Sequence, residues 1–442
     1  MTFDELNLTK NLRKSLAAME LTTPTPIQEK TFSVALSGRD ILGIAQTGTG
    51  KTLAYLLPTL SQWKFSKDHL PQIVVLVPTR ELVVQVVETA KRLVEGTSCM
   101  CVGVFGGVGM MPQAEAVVAG ADVLIGTPGR LLDLVLNGYV KLRGVKKLVV
   151  DEVDEMLEQG FRTQLGRLFD LLPTKRQNLL FSATMTEAIA KLADTYFNNP
   201  TRIEAAPVGT PLEGIEQVLY KVPNFNTKVN LLSYLLQNDE SMSRVLVFVS
   251  TMALADTVYE AIAETFGEDI DYIHSKRTQS QRFRALRNFA NSETRILIAT
   301  DLVARGIDIA GVSHVVCFDL PMETEQYIHR IGRTGRADEK GKSITFVSPM
   351  EQDKLTEIEG FMHTPIAELA LPEDLEISDK LTKFELPVYR MRNSLVETDA
   401  TPGGAFHEKL EKNKKVNIHI SHKTIMRQKY GKPITKSKSK KR

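Results

Sequence analysis

At 442 residues the chain exceeds what one ordinary hydrophobic core supports, and its 43% hydrophobic content suits a globular protein of two domains plus an extension. No run approaches the ~18 uninterrupted apolar residues of a membrane span, and the opening Met1-Thr2-Phe3-Asp4-Glu5 is not a basic-then-apolar leader, so no membrane-spanning helix is expected and a cytoplasmic location is expected by default. The net charge of +2 is unevenly spread: residues 409–442 hold 13 Lys and Arg against one acid, Glu411, which leaves the preceding residues at −10.

In chain order, a helix is predicted over 11–18, followed by Thr23-Pro24-Thr25-Pro26-Ile27-Gln28. The two prolines stop the helix and stiffen the segment, which gives Gln28 a fixed direction. Its amide carries both a donor and an acceptor and can pair with the N6/N7 edge of adenine. The apolar run 40–44 then leads through Ala45-Gln46-Thr47-Gly48-Thr49-Gly50-Lys51-Thr52 into another apolar stretch, which reads as strand, glycine-rich loop and helix. Gly48 and Gly50 let successive N–H groups converge on phosphate oxygens, with the positive end of the helix dipole behind them. Lys51 then reaches the outer phosphates and Thr52 offers its hydroxyl to magnesium. The strict loop pattern has glycine where this chain has Ala45.

Buried-type strands at 73–77 and 123–126 end in Pro78-Thr79-Arg80-Glu81-Leu82 and Thr127-Pro128-Gly129-Arg130, with Gly106-Gly107 between them. Ligands bind at such carboxyl ends in open parallel sheets. Cys99 and Cys101 have neither C-x-x-C spacing nor neighbouring histidines, so with Cys317 they read as small apolar side chains, and no metal site is expected from them. The strand at 147–150 runs into Asp151-Glu152-Val153-Asp154, the usual companion of a phosphate loop: Asp151 can hold magnesium, and Glu152 can orient and deprotonate water. A strand at 178–181 ends in Ser182-Ala183-Thr184. A hinge is expected across 205–213, which is rich in proline and glycine.

A second strand and helix series follows, with strands at 245–249, 295–299, 312–318 and 343–347 and helices such as 253–266 and 279–290. It has no second lysine loop. It does have Thr300-Asp301-Leu302-Val303-Ala304-Arg305-Gly306-Ile307-Asp308 and His329-Arg330-Ile331-Gly332-Arg333-Thr334-Gly335-Arg336. One half thus supplies phosphate and metal ligands and the other a guanidinium cluster, which predicts ATP between the halves with arginine fingers inserted from the second. For Arg330, RNA phosphate binding or a structural ion pair stands level with catalysis.

Together these motifs, with Gln279-Ser280-Gln281-Arg282, resemble the DEAD-box RNA helicases of superfamily 2 over residues 1–350. That family also has alanine at the position of Ala45. The resemblance implies an α/β fold of two tandem RecA-like domains with parallel sheets. Residues 1–207 would form the ATP-binding domain and 208–378 the helicase C-terminal domain, followed by a basic, disordered extension over 379–442. It implies that Phe3, Gln28, Gln46, Thr47, Gly48, Thr49, Gly50, Lys51, Thr52 and Asp308 bind ATP, Asp308 at the ribose, with Mg2+ on Thr52 and Asp151. Lys51, Glu152, Arg333 and Arg336 would be catalytic. Pro78, Thr79, Arg80, Gly107, Thr127, Arg130, Thr251, Gln279, Arg282 and Thr300 would contact the RNA backbone, giving affinity without sequence reading. Ser182, Thr184, Asp154 and His329 would couple hydrolysis to strand separation.

The implied function is a bacterial-type, ATP-dependent RNA helicase that pries open short duplexes, with its basic tail as a further RNA tether and ribosomal or ribonucleoprotein assemblies as partners. The alternative is an ATP-gated RNA clamp or assembly factor with little unwinding; a DNA helicase is a third class. Four departures from the family pattern stand out. Val153 replaces alanine, Leu21 replaces an aromatic near adenine, Glu20 replaces a glycine, and His274-Ser275-Lys276 replaces His-Gly-Asp. Val153 leaves all three acids in place, so activity is expected to survive it.

Overall fold

Short, unbroken runs of aliphatic residues suit strands buried on both faces. In the computed structural model, which describes residues 2–45, 48–204, 214–301, 312–335, 341–382 and 385, such runs build two seven-stranded sheets. The first comprises β1 Ile41–Ile44, β2 Ile73–Leu76, β3 Cys101–Val104, β4 Val123–Gly126, β5 Lys147–Val150, β6 Gln177–Ser182 and β7 Thr201–Glu204. The second comprises β8 Ile215–Lys221, β9 Val245–Val249, β10 Ile270–Ile273, β11 Ile296–Thr300, β12 His314–Cys317, β13 Gly341–Val347 and β14 Ala367–Leu369. The spatial orders are β3-β4-β2-β5-β6-β1-β7 and β10-β11-β9-β12-β13-β8-β14, so the second repeats the first strand for strand. Neighbours pair in parallel, as Ile41 does with Leu179 on one side and Thr201 on the other. Both sheets lie within one compact unit, Met1–Leu386.

Side chains on successive strand positions face opposite ways. Ile73 and Val75 therefore enter one apolar cluster while Val74 and Leu76 enter another, and in the second sheet Leu246 and Phe248 separate in the same way from Val245, Val247 and Val249. Helices cover both faces, the α/β arrangement expected from the sequence. Parallel pairing sends the carboxyl ends of a sheet's strands to one edge; the glycine-rich loop, 78–82, Gly106-Gly107, 127–130, 151–154 and 182–184 all follow such ends, whereas 23–28 and 329–333 adjoin helices.

The strands β3, β7, β8, β10 and β14 fell outside the predicted runs. β7 and β14 are short edge strands with largely exposed side chains, and β8 buries only Val218 and Leu219 of its seven residues. The expected hinge, 205–213, lies outside the described residues, as does most of the C-terminal extension. Among the described residues no helix is long and apolar enough to cross a membrane, and Cys99, Cys101 and Cys317 are free and buried.

Candidate functional site

Gly50, at φ 86°, caps the helix Lys51–Ser61 immediately after the loop from β1. A Cβ there would come within 2.3 Å of Gln28 Nε2, so the position admits only glycine without rearrangement. Lys51 opens the helix with its side chain buried: Nζ has no hydrogen-bond partner and lies 4.0 Å from Asp151 Oδ1. Asp151 follows β5, and Glu152 sits in the left-handed region at φ 52°, ψ 49°. That conformation is strained for a side chain larger than glycine, and it is held here beside the most charged part of the fold. Glu152 Oε2 is buried without a partner. Burial, with Glu152 alongside, pushes the Asp151 carboxyl up to about 6 against the pull of Lys51. A buried ammonium and a buried carboxylate oxygen, Glu152 Oε2, without hydrogen-bond partners form an incomplete environment. A polyphosphate on Lys51 and a divalent cation at the carboxylates fit its donor set.

These groups line a cavity of about 340 Å³ together with Gly48, Gly50, Thr52 and, from the second half, Arg333. Arg333 is buried and follows the helix Thr324–Ile331. From the same helix His329 acts across the halves on Asp154; with Lys51 and a hydrogen bond to Ser182 it holds that carboxyl below its usual range even though burial pushes the other way. Asp154 Oδ2 accepts hydrogen bonds from the N–H groups of Ala183 and Thr184 at 2.9 and 3.1 Å and from Thr184 Oγ1 at 3.3 Å. One carboxylate thereby touches the end of β6 and senses the second half.

Two further contacts bridge the halves. Arg80, at the start of the helix Arg80–Leu93, lies over Gly107, where a Cβ would meet its guanidinium at 2.2 Å, and its Nη1 donates to Gln279 Oε1 at 3.4 Å. Glu81 Oε1 pairs with Arg282 Nη2 at 2.7 Å, both side chains largely buried. Gln279 and Arg282 belong to the first turn of the helix Gln279–Ala290.

The sequence profile of the DEAD/DEAH box helicases matches residues 25–192, and that of the helicase conserved C-terminal domain matches 227–338. The chain is 36% identical over 397 residues to the DEAD-box ATP-dependent RNA helicase RhpA of Helicobacter pylori, covering 90% of this chain and 76% of RhpA. The chain belongs to the DEAD-box ATP-dependent RNA helicases. It is similarly 35% identical to CshA of Bacillus subtilis over 90% of its own length and 80% of CshA. The structure of S. cerevisiae Dbp5 bound to RNA and ADP BeF3 matches with a TM-score of 0.75 at 30% identity, covering 84% of this chain and 96% of that one. The enzyme is thus an RNA-dependent ATPase built on two tandem RecA-like domains.

On this DEAD-box frame, most residues expected at RNA sit at strand ends. Thr79 and Thr251 cap helices by accepting from Leu82 and Leu254 N–H, at 3.3 and 3.1 Å. Pro78, Thr127 and Thr300 are buried at the ends of β2, β4 and β11, and Arg130 donates to the Val108 carbonyl at 2.8 Å. Gln28 turns inward: Oε1 accepts from Thr25 N–H at 3.0 Å and Nε2 donates to the Gly50 carbonyl at 3.1 Å. Phe3 packs into an apolar cluster with Leu6, Leu8 and Ile27, and neither Phe3 nor Gln28 lines the cavity. Gln46, Thr47, Asp308 and Arg336 lie outside the described residues. Arg330 is fully buried, gripped by Asp301 through Nε and Nη2 at 2.6 and 2.7 Å and by the Asp319 carbonyl, so the ion-pair reading holds for it.

The departures have local explanations. Val153 is buried in an apolar cluster with Met156 and Ile189, where its extra methyl groups find contacts. Glu20 takes φ 60° just past the helix Lys10–Ala18, and Leu21 N–H closes onto the Leu16 carbonyl at 3.0 Å, a helix end that normally uses glycine. That turn brings Leu21 and Met19 into the lining of the cavity beside Lys51. His274 Nε2 lies 2.9 Å from Asp256 Oδ1; nothing in the structure explains Ser275-Lys276. Glu81 and Asp301 went unassigned because their partners, Arg282 and Arg330, are far away in the chain.

Proposed function

We propose that this helicase locally opens short RNA duplexes, using ATP held between its two sheets. The observation that carries the proposal is the single cavity in which Lys51, Asp151 and Glu152 meet Arg333. In this reading Gln46, Thr47, Gly48, Thr49 and Gly50 receive the phosphates and Lys51 the outer ones, while Thr52 and Asp151 hold Mg2+, which neutralises phosphate charge when bound. Glu152 orients and deprotonates the attacking water, and Arg333 and Arg336 face the charge that develops on the terminal phosphate. Phe3 and Gln28 serve the adenine and Asp308 the ribose. Pro78, Thr79, Arg80, Gly107, Thr127, Arg130, Thr251, Gln279, Arg282 and Thr300 hold RNA by its backbone. Ser182, Thr184, Asp154 and His329 couple the two events; the hydrogen bonds from Ala183 and Thr184, just past β6, to Asp154, on which His329 acts, support this role. Residues 1–207, 208–378 and 379–442 are the three functional parts. The enzyme works in the cytoplasm on ribosomal or other ribonucleoprotein RNA, with the basic part as a tether.

The test is steady-state ATP hydrolysis with magnesium, alone, with single-stranded RNA and with DNA of the same sequence, followed by multiple-turnover unwinding of a short duplex. RNA-only stimulation, abolished in Glu152→Gln, together with strand release, is the expected result. Long RNA residence without strand release would replace unwinding with clamping, and equal stimulation by DNA would remove the RNA coupling.

A further inference from the structure

The nucleotide cavity extends well past the phosphate end. Leu82, Gln85, Thr89 and Arg92 all line it, and their spacing of three, four and three residues places them on one stripe of the helix Arg80–Leu93. At 1.5 Å per residue the stripe is about 15 Å long, enough to run beside an extended nucleotide. It starts next to the cross-domain pair of Glu81 with Arg282 and ends at Arg92, whose side chain is exposed. The helix Lys10–Ala18 meets that end, where the Ser15 hydroxyl donates to the Leu93 carbonyl at 3.0 Å, and the left-handed turn at Glu20 that follows it brings Met19 and Leu21 into the same cavity.

This end lacks the expected readers of a base. Among the described residues no aromatic side chain lines the cavity, and the Gln28 amide is occupied by Thr25 and Gly50. Besides Arg333 at the phosphate loop, what the cavity offers is the apolar pair Met19 and Leu21, the Thr89 hydroxyl and the planar cation of Arg92. A guanidinium stacks on π faces, with the larger gain on the larger ring system. Taking the cavity as the ATP site, as proposed above, we propose that Arg92 is a specificity-determining residue that stacks on the base of the bound nucleotide opposite Leu21, in place of the missing ring. Purine selection then rests on the stripe of the helix Arg80–Leu93 as well as on the Gln28 segment.

The experiment uses the full chain with saturating single-stranded RNA and compares the wild type with Arg92→Ala, Arg92→Lys and Lys51→Ala. KM and kcat are read for ATP and UTP, and inorganic triphosphate, which has no base, is read as a competitive inhibitor. Arg92→Ala is expected to raise the KM for ATP about five- to tenfold, with kcat changed less than twofold. The preference for ATP over UTP should narrow at least threefold, and inhibition by triphosphate should stay within twofold of the wild type. Arg92→Lys, which keeps the charge and loses the plane, should follow Arg92→Ala. An unchanged KM for ATP, equal weakening of triphosphate, or full rescue by lysine would each overturn the stacking role. Lys51→Ala must abolish hydrolysis; if it does not, the assignment of the cavity to ATP fails, a result distinct from failure at Arg92 alone.

Discussion

The Asp151 carboxyl shows how the site stores instability at a single residue. Its value of about 6 in the fold, against 3.8 ordinarily, means that the folded chain holds this proton more tightly than the unfolded one. Ionising it therefore costs stability: the penalty is absent below about pH 4, grows toward pH 6 and is complete above. In magnesium-free buffer Asp151→Asn should be more stable than the wild type at pH 7.5 by at most about 3 kcal/mol, with the gap closing near pH 4. Urea unfolding at the two pH values measures this, and a gap that widens toward acid would contradict the burial argument. Asp151, Lys51 and Glu152 were legible in the sequence because contiguous motifs carry their chemistry. The fate of Arg330 was not legible, since charge is visible in a sequence while the aspartates that surround it come from other strand ends.

Two helix starts form the seam between the halves. Arg80 with Gln279 and Glu81 with Arg282 join the first turns of Arg80–Leu93 and Gln279–Ala290. Burial lowers the Arg282 guanidinium's affinity for its proton while Glu81 restores part of it, so the pair holds together best intact. Glu81→Ala and Arg282→Ala should each lower RNA-stimulated hydrolysis about tenfold, equivalent to about 1.4 kcal/mol, and the double variant should lose little more than either single one. Strictly additive losses in that cycle would mean the two side chains act separately. The helix at 279–290 was expected from the sequence, and the central strands followed from unbroken aliphatic runs. The edge strands β7 and β14 escaped because only their pairing partner defines them: Thr201–Glu204 carries one buried residue and Ala367–Leu369 none.

At the scale of the whole molecule, one strand order occurs twice, yet only its first copy carries the lysine loop. The sequence hinted at this through two strand and helix series, but the identity of the two orders depends on hydrogen-bonded neighbours that no local pattern reveals. Basic charge follows a different division, concentrated in residues 409–442. Deleting those residues should make the salt dependence of RNA affinity shallower by about two or more in the slope of log affinity against log salt, with RNA-free ATP hydrolysis unchanged. An unchanged slope would show that the tail carries no RNA. Within the second half, Arg330 bolts the helix Thr324–Ile331 to the loops that leave β11 and β12 through Asp301 and Asp319. That grip ties the helix that precedes Arg333 to the strand end that carries Thr300. If, as proposed, Arg333 serves ATP and Thr300 serves RNA, the two ligands are joined by a route that passes through this one guanidinium.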